Sequence, residues 1–429
     1  MDKRITLAIV GCGARGNGFS KWAAELPDQA EVVAIAEPRE RQRALLAERH
    51  RLPQEACFSD WQSLVESPRL ADAAIDATPD REHHASSIAL MKLGYHLLLE
   101  KPMATTLEHC REIDRVRAET GRIACVCHSL RYQQTYARIK ELLADGAIGR
   151  VMSIDQLEAV EHIHMSHSFV RGNWSNEARS TFMLLAKSCH DVDILAHLAG
   201  APCVRASSFG SLSFFTAANA PVGAPARCLD GCPAEAECPY HAMKIYGDPE
   251  RIGWGHHVGF AELSYEERLE ALRTGPYGRC VFHCDNDVVD HQVLALEFEG
   301  GTTATFTMTA FTPFAGRYLR VHGTHGYLAS DVDKNTIDLY RTWGGAHHER
   351  IELPPPDGSH GGGDDNVMSR FVEAVRLEDP SRVLTPTDES LRTHAIAFAG
   401  ERSRRERRVV EIEDHSTAPC PSEPKVPRE

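Results

Sequence analysis

The apolar run Ile5 to Val10 ends on Gly11-Cys12-Gly13-Ala14-Arg15-Gly16, and a helical pattern through Trp22, Ala23 and Leu26 follows as far as Pro27. That order of pieces leaves few folds open. A strand with no polar alternation reads as parallel and buried on both faces. In a G-x-G-x-x-G turn the first glycine permits the tight bend. The second lets backbone approach a pyrophosphate, and the third lets the helix pack on the strand. The helix N-terminus then offers free N–H groups and a positive dipole end to phosphates. Glu37 closes the next apolar run, Glu31 to Ala36. It stands about 20 residues beyond the glycines, where a carboxylate meets the adenosine ribose of a dinucleotide. The expectation is a Rossmann domain with Gly11, Gly13, Ala14, Arg15, Gly16 and Glu37 on a nicotinamide dinucleotide. NAD is expected over NADP, because Glu37 would repel a 2′-phosphate. Arg39, Arg41 and Arg43 follow; they either tolerate NADP or form a solvated helix face.

Further strands are expected at Asp72 to Ala77, Tyr95 to Leu99 and Ile123 to Cys127, and helices at Arg39 to Arg51, Glu82 to Leu93 and Leu107 to Glu119. Strands alternating with helices of this length predict an α/β, doubly wound parallel sheet. Residues 1–127 form this domain, and 128–412 are expected to form a second, α+β domain with a large, mostly antiparallel open sheet. Its predicted parts are an alternating strand from Val151 to Met165, a helix from Thr181 to Ala199 and strands at Val288 to Phe298, Thr302 to Phe311 and Tyr318 to His322. Gly300-Gly301 signals a hairpin, and late helices are read at Phe371 to Glu378 and Glu389 to Arg404. A loop-rich insertion covers 217–277, and the Pro- and Ser-rich tail, 413–429, is expected to be disordered.

The net charge of −14 argues against binding nucleic acid or an anionic membrane. No apolar run approaches the length of a membrane span, and Met1-Asp2-Lys3-Arg4 shows no signal-peptide pattern. A cytoplasmic enzyme is expected, and its 13 cysteines are then thiols or metal ligands. Cys57, Cys110, Cys125 and Cys127 sit among apolar neighbours, as small hydrophobes do. Cys228, Cys232 and Cys238 lie at short spacing in the insertion, with Cys280 and Cys284 downstream. One structural zinc is expected on Cys228, Cys232, Cys238 and Cys284, with Cys280 or His241 as alternative fourth ligand. Ordinary thiols, or an iron–sulfur cluster, are the other readings.

Several motifs resemble the glucose–fructose oxidoreductase, inositol dehydrogenase and rhizopine-catabolism family, Gfo/Idh/MocA. They are Gly11 to Gly16, Ala77-Thr78-Pro79-Asp80 with His83, Leu99-Glu100-Lys101-Pro102 and Ser129-Leu130-Arg131-Tyr132. The likeness continues through the Gly300 hairpin to the final helices. It implies a dehydrogenase or reductase of a sugar, inositol or related polyol, assembled as a homodimer or homotetramer on the second sheet. It places Thr78, Pro79, His83, Glu100 and Lys101 on the cofactor, and Lys101 also on the substrate hydroxyl, followed by a proline whose peptide bond is often cis.

Relatives carry an Asp four residues before a His on the next helix. Here His190 stands at the His position, but the Asp position is Ala186, with Lys187 beside it. Lys187 and His190, three apart on one predicted helix face, are expected to be catalytic with Lys101. Gln156, Glu158, His162 and His164 share one face of the predicted strand and form a pocket wall. His167, Arg171, Asn173 and Trp174 continue that wall. With Arg131, Tyr132 and His164 they make the expected substrate site, and metal binding by His164 and His167 is a weaker reading. Three functions remain open on this reading: net oxidation of an alcohol with NAD, a glycosidase that oxidises C3 transiently and returns the hydride, and a non-enzymatic dinucleotide or sugar sensor.

Overall fold

The computed structural model describes residues 3–248, 253–260, 263–355, 358 and 360–412. The expected disordered tail, with Cys420, lies outside the described residues. Six parallel strands form the first sheet: β1 (Ile5–Val10), β2 (Ala30–Ala36), β3 (Cys57–Phe58), β4 (Ala73–Asp76), β5 (His96–Leu99) and β6 (Ala124–Val126). Their order is β3-β2-β1-β4-β5-β6, so the winding reverses between β1 and β4, the crevice where such sheets bind ligands. Helices α1 (Ala14–Glu25), α2 (Glu40–His50), α3 (Trp61–Glu66), α4 (His83–Lys92) and α5 (Leu107–Thr120) connect the strands. Asp60 and Thr106 cap α3 and α5 through their side-chain oxygens. Strand β3 and helix α3 were not expected; two residues of strand carry no periodicity.

Helix α6 (Gln134–Ala144) leads into β7 (Val151–Ala159). Here the structure corrects the expected long strand. Glu161 takes a positive φ of 74°, which breaks the pleat. The chain then makes a single turn, α7 (His162–His164), and a π-helical segment from Met165 to Arg171. His162 and His164 therefore do not continue the polar face of Gln156 and Glu158. The expected helix from Thr181 is also two: α8 (Met183–Ala186) and α9 (Cys189–Ala199), broken at Lys187 and Ser188.

Beyond α9 come β8 (Cys203–Ser211), helices α10 (Ala242–Tyr246) and α11 (Tyr265–Thr274) of the insertion, then β9 (His291–Phe298) and β10 (Thr303–Thr309). β11 (Gly316–Gly323), β12 (Gly326–Asp331), β13 (Thr336–Arg341) and β14 (His347–Glu352) follow, then α12 (Gly363–Leu377), α13 (Thr387–Glu406) and β15 (Val410–Glu411). The sheet order is β14-β13-β12-β11-β7-β10-β9-β8-β15. Only β7 and β10 run parallel; the other pairings are antiparallel. Gly300 and Gly301 make the β9–β10 turn with φ of 77° and 85°. Leu294, Leu296, Phe298, Ala304, Phe306 and Met308 point into the core, while alternate residues such as Val293 and Thr305 face out. The sheet is thus covered on one face only within the chain.

Helix α12 crosses back to the first sheet. Val367, Phe371 and Val372 pack with Ile5, Leu7, Ile9 and Trp22, so a segment near the end of the chain completes the N-terminal core. The insertion has a small core of its own, with Cys228, Ala242, Ile245, Tyr246, Phe260 and Leu272 buried together. A Ser264–Glu267 capping box starts α11.

Candidate active site

Three loops converge at the carboxyl ends of the first sheet. In the glycine turn, a Cβ at Gly11 would lie 2.4 Å from the Ala77 carbonyl, and one at Gly16 1.9 Å from that of Gly11. Backbone occupies the space a side chain would need. At Gly13 the nearest atom to such a Cβ is 3.7 Å away, so the turn is open above α1, whose first N–H groups have no side-chain cap. A bare helix N-terminus behind an open glycine turn fits a dinucleotide pyrophosphate.

Glu37 is buried at 2% exposure. Its Oε2 accepts from the Cys12 N–H at 2.7 Å, and Arg39 donates from its backbone N–H and its guanidinium at 2.7–2.9 Å. Burial works against ionisation here, but the bonds from Arg39 and Cys12 outweigh it and hold the carboxyl below its usual range. The carboxylate is already engaged by a cation, which sequence spacing did not show.

The Thr78 and Lys101 loops are stapled by His83, whose Nδ1 and Nε2 sit 2.7 Å and 2.9 Å from the carbonyls of Pro102 and Thr78. Thr78 Oγ1 donates to Asp76 at 2.7 Å. The Lys101–Pro102 bond is cis. Glu100 accepts from the Lys101 N–H and from Arg15. Arg15, expected on the cofactor, also gives both terminal nitrogens to Asp364.

Lys101 Nζ donates to the Ala186 carbonyl at 2.8 Å. That carbonyl is available because α8 ends there, leaving its last C=O groups without helical partners. His190 lies at the second position of α9 and is 3% exposed, with Nδ1 lacking any partner among the described residues. Burial, then the Lys101, His360 and His128 rings and charges, push it well below the ordinary histidine range. A helix N-terminus disfavours the imidazolium as well. A neutral imidazole beside an ammonium is a proton acceptor paired with an electrostatic stabiliser.

Lys187 turns the other way at the helix break. Its Nζ meets Glu158 at 2.9 Å, within a buried network that sequence reading missed. Arg317, directly across from Glu158 in the β7–β11 register, reaches Glu158 at 2.6 Å and Asp191 at 2.8 Å. Gln156 donates to Asp191 and Ser188 to Glu158. Burial pushes Glu158 up, but Lys187 and Arg317 overcome it and hold it ionised. Burial and the Glu158 charge push Asp191 above its ordinary range despite Arg317. The signal available in the sequence was Arg317 immediately before the strand expected at Tyr318 to His322.

Several expected substrate residues are engaged elsewhere. Arg131 is buried against Asp193 at 2.7 Å and 2.8 Å and donates to the Leu384 carbonyl. Tyr132 OH is shared between Thr385 and the Leu384 N–H. The structure therefore does not bring Arg131 and Tyr132 into the cleft. Arg171 ties the π-helical segment to the insertion through the Arg279 and Tyr240 carbonyls and Cys228 Sγ, and His167 bonds Tyr246 OH. Trp174 Nε1 donates to Asp80, bridging the two sheets' domains. Asn173 is exposed. His164 stacks on Trp254 at 3.8 Å, pushed well below its usual range by burial and by Lys187.

The zinc expectation finds no support. Among the described residues no three His, Cys, Asp or Glu groups stand in a position to hold a metal ion. Cys228, Cys232, Cys238 and Cys280 line a cavity of about 10 Å³. Cys284 instead donates to the Cys280 carbonyl, and His241 Nε2 bonds the Cys228 carbonyl. The expectation took the insertion to be too poor in apolar residues to order itself, whereas it buries its own cluster. The pairing of His164 with His167 as metal ligands finds no third ligand among the described residues either.

A glycine turn open over a helix N-terminus, with the Lys101 charge acting on the buried imidazole of His190, is the arrangement of a nicotinamide-dependent oxidoreductase. The N-terminal model of the Gfo/Idh/MocA family, described as an oxidoreductase family with an NAD-binding Rossmann fold, matches residues 5–128, and its C-terminal alpha/beta model matches 140–412. The chain belongs to this family. It is 23% identical over 384 residues to the protein YteT of Bacillus subtilis (strain 168), covering 83% of this chain and 86% of that one. Over 203 residues it is 24% identical to the scyllo-inositol 2-dehydrogenase (NADP(+)) IolW of the same organism, covering 46% of this chain and 52% of that protein. In fold it is similar to a levoglucosan dehydrogenase solved in complex with NADH, with a TM-score of 0.71 at 16% identity, covering 96% of this chain and 100% of that one. Among the described residues no helix is long and apolar enough to cross a membrane.

Proposed function

We propose that the chain transfers hydride between a secondary alcohol of a sugar, glycoside or inositol and a nicotinamide dinucleotide, with NAD preferred. The observation that carries this is the Lys101 ammonium, held by a neutral carbonyl, beside the buried neutral imidazole of His190. The glycine turn and α1 hold the pyrophosphate, Glu37 the adenosine ribose, and the Thr78–Pro79 and Glu100–Lys101 loops the nicotinamide side. The bound dinucleotide supplies the hydride acceptor or donor. Lys101 stabilises the oxygen as its charge develops, and His190 exchanges the hydroxyl proton. The Glu158–Lys187–Asp191–Arg317 network fixes the start of α9, and so the position of His190, from below. The names of relatives, which include inositol and levoglucosan dehydrogenases, support a polyol substrate. The face of the second sheet left open within the chain supports a homodimer or homotetramer, checked by light scattering on the purified protein.

A panel of polyols, inositols and aryl glycosides assayed with NAD and NADP, following reduced cofactor and sugar products together, tests the reading. Stoichiometric NADH with a ketone product is the expected result. Aglycone release without net NADH would replace it with redox-neutral glycoside cleavage. Dinucleotide binding with no turnover on any class would leave a sensor.

A further inference from the structure

With Lys101 and His190 as the groups of the proposed reaction, a proton taken from the substrate must leave a ring that is 3% exposed. Two imidazoles lie against His190: His128, with ring centroids 5.7 Å apart, and His360, 5.5 Å apart. They differ in what lies behind them. His128 is fully buried, with neither nitrogen partnered among the described residues, and the ring it meets on its other side, His394, is buried as well. A proton passed that way stays among buried groups. The side chain of His360 is 33% exposed.

His360 is also held as a working imidazole is held. Its Nδ1 donates to Asp364 Oδ2 at 3.0 Å, which leaves Nε2 as the free basic nitrogen. Asp364 is a strong anchor: it sits in the first turn of α12, largely buried, and also accepts from Arg15 and the Ser129 hydroxyl. The backbone is committed to the placement. His360 has a φ of +49°, a left-handed conformation uncommon for a residue with a Cβ. A Cβ at Gly361 would lie 2.5 Å from Gln133 Nε2, and one at Gly363 2.3 Å from the Ser129 carbonyl. Gly363 is thus seated on the Ser129 backbone with no room for a side chain, and Gly361 lies against the Gln133 amide.

We propose that His360, oriented by Asp364, is the relay that exchanges the reaction proton between His190 and solvent, a carboxylate–histidine pair brought from the far end of the chain to a site where Ala186 offers only a carbonyl. This rests on the oxidoreductase reading above. In the oxidation direction the carbinol C–H bond breaks with its electron pair going to the oxidised nicotinamide, and the O–H proton goes to His190. His190 releases a proton to Nε2 of His360, whose Nδ1–H stays on Asp364. Water removes the proton from Nε2, and one proton leaves per alcohol oxidised. The charged and titratable groups facing the relay are Asp364 and, through it, Arg15 on His360, and Lys101, Arg317 and His128 on His190. Because His360 acts through His190, it is a positioning residue.

The test compares wild type, His360→Ala and Asp364→Asn on whichever alcohol the panel identifies. His360→Ala is expected to lower kcat for oxidation at least ~10-fold at pH 7, below the full loss of an acid–base group, with KM and NADH affinity within about twofold. Added imidazole should restore kcat to the variant, and not raise it in wild type. By ¹⁵N-histidine spectra, His360 in wild type should carry its proton on Nδ1, and Asp364→Asn should lose that preference. An unchanged kcat and pH profile in His360→Ala, or a loss that imidazole does not restore and that NADH affinity shares, overturns the relay while leaving the oxidoreductase reading intact. Absence of turnover by wild type on any alcohol overturns the reading itself, and the relay with it.

Discussion

Replacing Arg317 with Met removes one cation from between two buried carboxylates. Arg317 supplies a 2.6 Å bond to Glu158 and bonds of 2.8 Å and 3.1 Å to the two oxygens of Asp191. Glu158 would retain Lys187 and Ser188, but the one direct cationic partner of Asp191 would be gone, leaving it Gln156 and its neighbour Glu158. Breaking a buried pair by deleting one partner costs about 3–5 kcal/mol, because the remaining charge is left without compensation. For a domain of 150–250 residues each kcal/mol is worth roughly 2–4 °C of Tm, so the melting temperature should drop by roughly 6–20 °C at pH 8. The pH dependence carries a definite sign. Asp191 already titrates above its unfolded value, so folding takes up a proton there. The associated stability is present at low pH and lost as pH rises through the folded value. Without Arg317 that uptake moves to higher pH, and protonation removes the uncompensated charge. The gap between wild type and variant should therefore narrow as pH falls from 8 to about 5.5. Calorimetric scans of both proteins across that range, with reversibility checked, read it directly. A Tm within about 2 °C of wild type at pH 8, or a gap that widens on acidification, refutes the account of the network.

Lys101→Ala should lower turnover by about 10²–10⁴-fold, the scale of an acid–base or oxyanion group, with NADH affinity, followed by fluorescence, changed only a few-fold; near-normal turnover would remove Lys101 from the mechanism. Glu37→Ser should weaken NAD by about 10–100-fold, as loss of a charge-assisted hydrogen bond does, and narrow its margin over NADP. Arg39→Ala should widen that margin, since it frees the Glu37 carboxylate to face the 2′ position; calorimetric titration of both cofactors decides, and tighter NADP binding by Arg39→Ala would reverse the assignment. Gly16→Ala, with its Cβ 1.9 Å from the Gly11 carbonyl, should destabilise the protein by about 1–3 kcal/mol through overpacking and lose measurable dinucleotide binding. A thermally normal variant that binds NADH would show the turn to be looser than it stands.

Five of the six strands of the N-terminal sheet, all but β3, were legible because their determinants are local. Ile5 to Val10 is buried on both faces, so its apolar run needs no context, and the glycine turn follows from a backbone that tolerates no Cβ at Gly11 or Gly16. The Gly300-Gly301 hairpin was legible for the same reason. Where sequence reading failed, periodicity matched two structures equally well. The alternation from Val151 to Met165 suits a strand throughout, yet a positive φ at Glu161 ends it after Ala159. The helical pattern from Thr181 gave no sign of the break at Lys187 that frees the Ala186 carbonyl for Lys101 and sends Lys187 to Glu158.

The chain by itself thus determined its fold class and its glycine turn, and it named the lysine and histidine on which the proposed site rests. The tertiary structure decided what surrounds them. Arg317 meets Glu158 only through the β7–β11 register, and Asp364 meets Arg15 only because α12 returns to the first sheet. Arg131, which looks like a substrate residue in isolation, is instead consumed by Asp193. A buried charge takes its meaning from the partner that neutralises it, and those partners lie too far away in sequence for any local pattern to name them.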